Sequence, residues 1–245
     1  MSAVLHAAAT EAWPALLDAA SQPYLRDGRF AWGFARGKLG RDPVFRHLLS
    51  QGLIAPRARV LDIGCGQGLL ASLLRAGQQL HSQGLWPQGW AAAPAGVRLT
   101  GIELVQRDVD RARTALGDTA EFVCGDMRST PFPEADVAVL LDVLHYVSAP
   151  DQDAVLAKVR RALAPGGVLL LRVADAAYSR RFAFSRWVDA AVMLVRHGRV
   201  LPQCGRTLPQ WIAQLESLGF EVRSQPMSQG TPFANVLLIA RVASR

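Results

Sequence analysis

Three glycines at alternate positions, Gly64, Gly66 and Gly68, follow an apolar run, Val60–Ile63, that carries a single acid, Asp62. Glycine suits a place where a ligand lies against the backbone, or where a turn needs dihedrals closed to other residues. The Gly-x-Gly-x-Gly spacing is not the Gly-x-Gly-x-x-Gly of nicotinamide dinucleotide sites, and no Lys-Ser/Thr follows it as in a phosphate-binding loop. Asp62 is next to last in a strand that should be buried, where an unpaired carboxylate is costly. It therefore calls for donors from the loop or for a cationic ligand. Glu103, Asp126 and Asp142 repeat this placement at the ends of the next three expected strands. In doubly wound sheets the ligand lies across the C-terminal ends of the strands, and an acid there accepts hydrogen bonds from ribose hydroxyls.

The elements that must position these acids follow from hydrophobic periodicity. Arg59–Ile63, Val97–Glu103, Ala120–Cys124, Asp136–Asp142 and Val168–Val173 read as strands. The fourth is so continuously apolar that it suits burial on both faces of a parallel sheet. Leu69–Ala76, Val105–Leu116 and Asp151–Leu163 read as intervening helices, the last stopped by Ala164-Pro165-Gly166-Gly167. This alternation predicts right-handed crossovers and a doubly wound α/β fold. Ahead of it, Ala3–Ala20 has helical spacing closed by Pro23. Tyr24–Lys38 reads as a turn-rich basic and aromatic stretch, and Pro43–Gln51 as a short helix. Gly77–Gly96 reads as an inserted surface loop whose Trp86 and Trp90 either pack onto the domain or face a ligand. Ser224–Asn235 reads as a polar connection into a buried strand, Asn235–Ala240.

Together, Val60–Gly68, Gly101-Ile102-Glu103-Leu104, Gly125-Asp126-Met127, Pro131-Phe132-Pro133 before Asp136-Val137, Leu141-Asp142-Val143-Leu144-His145-Tyr146 and Leu163-Ala164-Pro165-Gly166-Gly167 carry a resemblance. Over residues 56–173, and more loosely beyond, the chain resembles the small-molecule class I S-adenosylmethionine-dependent methyltransferases. It is also similar to methyltransferases of polyene-pigment biosynthetic clusters. The resemblance implies a mostly parallel seven-stranded sheet with an antiparallel last strand, an N-terminal helical segment, a helical lid and S-adenosyl-L-methionine as cofactor. It sets Asp62, Gly64 and Gly66 around the methionine part, with Cys65, Gly68 and Leu104 completing the cofactor-binding set. Glu103 would hold both ribose hydroxyls, Asp126 the adenine amine and Met127 the adenine face. Leu141 and Asp142 would lie near the methionine ammonium, and Arg36 or Lys38 would meet the methionine carboxylate. His145 is the candidate base, with Tyr146 beside it; the alternative is a histidine that only packs or orients the pocket. One departure is length: Glu103 lies 39 positions after Gly64, where about 20 is usual.

Charge and composition narrow the partners. The 245 residues carry 27 Lys+Arg against 20 Asp+Glu, a formal +7, and only Lys38 and Lys158 are lysines. Leu171–Arg206 holds seven arginines against Asp175 and Asp189. Within it Phe184, Trp187, Val188, Ala191, Leu194 and Val195 fall at helical spacing, which reads either as an amphipathic helix packed on the sheet or as an apolar lid ringed by arginines. Such a lid suits a small hydrophobic acceptor with an acidic end, free or bound to a carrier protein. Nucleic acid is disfavoured, because the Asn/Asp-Pro-Pro-Tyr/Phe signature of base methylation is missing after the fourth strand. RNA or protein methylation, and a catalytically silent binding protein with this fold, are the competing expectations. No apolar run approaches the roughly 20 residues of a membrane span, which leaves only peripheral membrane contact. Cys65, Cys124 and Cys204 are too few and scattered for a disulfide framework or zinc site, so no metal is expected. The chain reads as cytoplasmic, with no feature that specifies an oligomer. It reads as one domain: a helical cap over 1–55, a cofactor-binding core over 56–175 with the 77–96 insert, an acceptor lid over 176–218 and closing strands over 219–245.

Overall fold

The computed structural model describes residues 2–174, 205–229 and 235–243. The stripe expected at Arg180–Arg199, most of the 176–218 lid and Cys204 lie outside the described residues. The strands form a seven-stranded α/β sheet of order β3-β2-β1-β4-β5-β7-β6. The chain divides into two units, residues 1–127 and 128–245.

In the first unit, β1 (Arg59–Ile63), β2 (Arg98–Glu103) and β3 (Glu121–Cys124) run parallel, with Asp62 opposite Gly101 and Glu103 opposite Cys124. Their C-terminal ends therefore meet at one edge. Between them run α4 (Leu69–Ser82) and α5 (Gln106–Leu116), preceded by α1 (Ser2–Ser21), α2 (Arg29–Arg41) and α3 (Pro43–Ser50). The stretch expected to be turns, Tyr24–Lys38, is instead a 3-10 turn over Gln22–Asp27 followed by α2. Ala31, Ala35 and Leu39 recur at helical spacing and are buried. The glycines at 33, 37 and 40 obscure that pattern in the sequence, because glycine lowers helix propensity by about 1 kcal/mol.

The 77–96 insert also differs from expectation. Its first six residues continue α4, and the remainder is pinned down rather than projecting. Trp86 donates its indole N–H to the Ala91 carbonyl at 2.9 Å and meets Trp90 edge-on, with ring centroids 5.5 Å apart. Trp90 in turn lies 6.1 Å from Trp13 of α1. Ala91 N–H bonds the Ser50 carbonyl at 3.0 Å, and Arg57 N–H bonds the Ala95 carbonyl at 2.8 Å. The two tryptophans pack the insert onto its own unit.

In the second unit, β4 (Ala135–Leu141) pairs in parallel with β5 (Leu163–Ala174). The last strand, β7 (Asn235–Val242), is antiparallel to both β5 and β6 (Phe220–Pro226). Residues 224–226, expected in a connection, are thus the end of β6. Among the described residues its α-helices are α6 (Ala149–Ala162), capped by the Ser148 hydroxyl, and α7 (Leu208–Ser217), opened by a Thr207–Gln210 capping box. One charge interrupts the apolar run of β5. Arg172 is buried, and its guanidinium grips the Asp142 carboxylate with two hydrogen bonds, Nε to Oδ1 at 2.8 Å and Nη2 to Oδ2. Asp142 sits just past β4 with φ +58°, a left-handed conformation that Asp and Asn tolerate better than most residues.

Removing one partner of a buried pair strands the other charge, at a cost of about 3–5 kcal/mol. Asp142→Asn keeps the shape and the tolerance for positive φ, so its effect isolates the charge. We expect it to lower unfolding stability by about 3 kcal/mol, the low end of that range because Asp142 itself is partly exposed. Urea denaturation followed by circular dichroism measures this, and an unchanged midpoint would contradict it.

Candidate functional site

The glycine turn leaves β1 while still fastened to β2. Gly64 and Cys65 both donate backbone N–H bonds to the Ile102 carbonyl, at 2.7 and 3.2 Å. Gly66 N–H then donates to Glu103 Oε2 at 3.0 Å, and Val105 N–H donates to Glu103 Oε1 at 2.9 Å. One carboxylate thus ties together the turn and the start of α5. Gly68 N–H closes the turn on the Cys65 carbonyl at 3.0 Å, and α4 begins.

The glycines divide by purpose. Gly66 has φ +56°, and a Cβ there would meet no atom within 4 Å, so the backbone is open to an approaching group. Gly68, at φ +78°, answers to packing: a Cβ would come within 2.9 Å of the Phe122 ring and 3.0 Å of Leu116. Gly101 belongs with it, since a Cβ would meet Cys65 Sγ at 2.7 Å. A Cβ is thus excluded by packing at Gly68 and Gly101 and not at Gly66.

Asp62 is buried, and its carboxyl is pushed up to about 7, first by desolvation and then by the neighbouring Glu103 charge. Burial likewise pushes the Cys65 thiol up, and the two acids add to the effect. This thiol stays protonated at neutral pH. Gly125 N–H donates to the Glu103 carbonyl at 2.9 Å, which carries half-buried Asp126 and Met127 to the end of β2. Leu104 beside them is exposed. Asp62, Gly64, Cys65, Gly66, Gly68, Glu103, Leu104, Asp126 and Met127 are accordingly collected at one edge of the first unit.

Arg36 and Lys38, expected at the methionine carboxylate, are engaged within the N-terminal helices. Arg36 is ion-paired with Asp18 and lies over Trp32 at 5.9 Å, and Lys38 Nζ is 2.8 Å from Asp42. Among the described residues, no group of three or more His, Cys, Asp and Glu could hold a metal ion.

In the second unit, Leu141 ends β4, and Asp142 leads into a 3-10 turn, Leu144–Tyr146. Gln152 of α6 staples this turn by donating to the Leu144 and Val147 carbonyls, at 3.1 and 3.3 Å. The His145 ring rests 4.0 Å from that of Tyr146. Burial lowers the His145 pKa, and Asp142 opposes that shift more weakly. The imidazole is therefore neutral at pH 7, with a lone pair to accept a proton. Arg172 and Gln152 had not been singled out in the sequence. The signal for Arg172 was present, as one charge inside Val168–Val173; Gln152 gave none.

A family model for the methyltransferase domain matches residues 34–225. The chain belongs to that family. As a methyltransferase domain it takes S-adenosylmethionine as cofactor, and the residues fit that molecule. Acids suit its sulfonium and ammonium, Glu103 is placed at the end of β2, and the Gly66 backbone is open. The domain is 34% identical over 130 residues to a carboxy-S-adenosyl-L-methionine synthase of Chromohalobacter salexigens, covering 49% of this chain and 43% of that protein. It is 27% identical over 129 residues to the synthase of Actinobacillus succinogenes, covering 51% of this chain and 48% of that one. The matches thus span about half the length of these curated relatives. Among solved structures, mitomycin 7-O-methyltransferase is 25% identical, with 88% of this chain and 57% of that chain covered and a TM-score of 0.55. Human N-acetylserotonin methyltransferase in complex with S-adenosylmethionine shares the fold at 23% identity, covering 76% and 48%, with a TM-score of 0.52. Among the described residues no helix is long and apolar enough to cross a membrane.

The raised Asp62 carboxyl gives a signed expectation. A cation favours ionised Asp62, so cofactor affinity should rise with pH and level off above about 7. Below that value it should fall by up to about tenfold per pH unit. Titration calorimetry across pH 5.5–8.5 (a range of roughly three units about that value) reads this slope, and Asp62→Asn should flatten it. Fold stability runs the other way: the contribution of a carboxyl raised from 3.8 is full below that value and is lost as pH rises through about 7.

Proposed function

We propose that this domain transfers the methyl group of S-adenosylmethionine to a small, hydrophobic acceptor with an acidic end, free or carried on a protein, in secondary metabolism. The observation that carries the transfer is the pairing of Asp62 with Glu103 around the Gly66 turn. Burial and the neighbouring Glu103 charge make Asp62 costly to ionise alone, which is useful where a cation is to be held. In this reading Asp62, Gly64, Cys65 and Gly66 border the methionine part, Glu103 takes the ribose hydroxyls, and Asp126 and Met127 take the adenine. Leu141 and Asp142 lie toward the methionine ammonium. Bound there, the cofactor supplies an electrophilic methyl: the acceptor lone pair forms the new bond, the C–S pair returns to sulfur, and S-adenosylhomocysteine is left.

The protein's part is alignment in a dry site, plus a base where the acceptor must lose a proton. Neutral His145 is suited to take that proton from a phenol or an acidic carbon, with Tyr146 against its ring. A carboxylate acceptor has no proton to lose and would not use it. The acceptor class is supported by the arginine-rich, apolar 178–206 sequence and by the likeness to mitomycin 7-O-methyltransferase. The names of the curated relatives favour a second reading, formation of carboxy-S-adenosyl-L-methionine.

Labelled cofactor incubated with acyl acids, phenols, carrier-bound acyl chains and bulk RNA tests the first reading; a further arm with a small acid that can give up its carboxyl group as CO2 tests the second. Label in a small acid or phenol is expected, with S-adenosylhomocysteine as co-product. A cofactor product heavier by a carboxyl group would favour the second reading, and label in RNA alone would reject the small acceptor. With a phenol, His145→Ala should reduce turnover by about 10²-fold or more; with a carboxylate it should change little.

A further inference from the structure

Residues 64–66 of the glycine turn are held by β2, through the Ile102 carbonyl and the Glu103 carboxylate. Gln67 is held differently. Its side chain is buried, and its amide nitrogen has no hydrogen-bond partner. The tie comes instead from the N-terminal segment: the Tyr24 hydroxyl donates to the Gln67 backbone carbonyl at 2.9 Å. Tyr24 is fully buried in the 3-10 turn between α1 and α2, where its ring cannot swing aside without opening a cavity. Its hydroxyl also contacts Ser72 in the first turn of α4, and Ser72 donates to the Ala20 carbonyl at 2.6 Å. Burial raises the phenol well above its ordinary value, so it remains a donor at every pH where the protein works.

We propose that Tyr24 is a positioning residue for the cofactor. Its hydroxyl holds the Gln67 carbonyl from the N-terminal side, so that the Gly66 backbone and Glu103 keep the spacing that S-adenosylmethionine needs. The turn is clamped from two directions, by β2 through Glu103 and by the N-terminal helices through Tyr24. This gives the N-terminal segment a role in cofactor binding that does not depend on Arg36 or Lys38. The inference rests on the cofactor assignment above, and its test separates the two.

Cofactor binding is measured by calorimetry for wild type, Tyr24→Phe and Trp86→Phe, at a temperature where circular dichroism shows each folded. Tyr24→Phe keeps the ring and removes one oxygen. Trp86→Phe removes a comparable hydrogen bond, to Ala91, in the insert of the same unit. A contribution to folding alone leaves the dissociation constant of a folded variant unchanged. Positioning raises it, for S-adenosylmethionine and S-adenosylhomocysteine alike, by about tenfold, the equivalent of one hydrogen bond of about 1.4 kcal/mol. We expect that rise for Tyr24→Phe and none for Trp86→Phe. Equal affinity in wild type and Tyr24→Phe would overturn the positioning role and leave the cofactor assignment standing. A Tyr24→Phe protein that circular dichroism shows unfolded at every temperature tried would assign the hydroxyl to the fold and also overturn it. Wild-type protein that binds neither molecule would overturn both.

Discussion

Glu103 is the group on which the edge of the first unit that carries the glycine turn depends. Its two oxygens accept backbone N–H bonds from Gly66 and Val105, and its own carbonyl accepts from Gly125. Three loops leaving or entering parallel strands are thereby registered to one residue. A carboxylate does this better than an amide would, because each charge-assisted bond is stronger and shorter than a neutral one. The same charge lies close enough to Asp62 to push its carboxyl up. Organising the turn and preparing an electrostatic demand for a cation are therefore one act of placement, and the rest of the unit is built to keep that residue at the end of β2.

The second unit answers a different constraint. Arg172 would be costly among the apolar side chains of β5, and Asp142 makes it tolerable by taking a left-handed backbone conformation just beyond β4. In the structure, the carboxylate that the resemblance assigns toward a ligand ammonium is the counterion of Arg172. The 3-10 turn carrying His145 starts two residues later, at Leu144.

Much of this was legible in the sequence, because the signals were local. The strands at Arg59–Ile63 and Asp136–Asp142, the acids at their ends and a strand at Asn235–Ala240 follow from periodicity and residue type; that the last strand runs antiparallel came only from the family resemblance. What the sequence concealed depends on distant partners. Helix α2 was hidden by three glycines whose cost is met by burying Ala31, Ala35 and Leu39. The first six residues of the insert are helical, and Gly77 there packs beside Trp86 and Pro94, a contact no local pattern announces. Gly68, placed by the resemblance in the cofactor-binding set, and Gly101 each leave no room for a Cβ, beside Phe122 and Leu116 and beside Cys65 and Phe122 respectively. Tyr24 gave no signal, since its hydroxyl reaches a carbonyl 43 residues away.

The indole cluster of the insert has an optical consequence. Trp13, Trp90 and Trp86 stand within 6.1 Å of one another in sequence of contact, and the Arg46 guanidinium lies 6.0 Å from the Trp90 ring. They are half of the six tryptophans in the chain. Excitation absorbed by any of the three is shared among them, so their emission reports on one small region rather than on the whole molecule. Since Trp13 belongs to α1 and Trp90 to the insert, lifting α1 away would change the colour and intensity of that emission while the sheet stayed intact. The protein carries a built-in fluorophore for the seating of its own N-terminal helix.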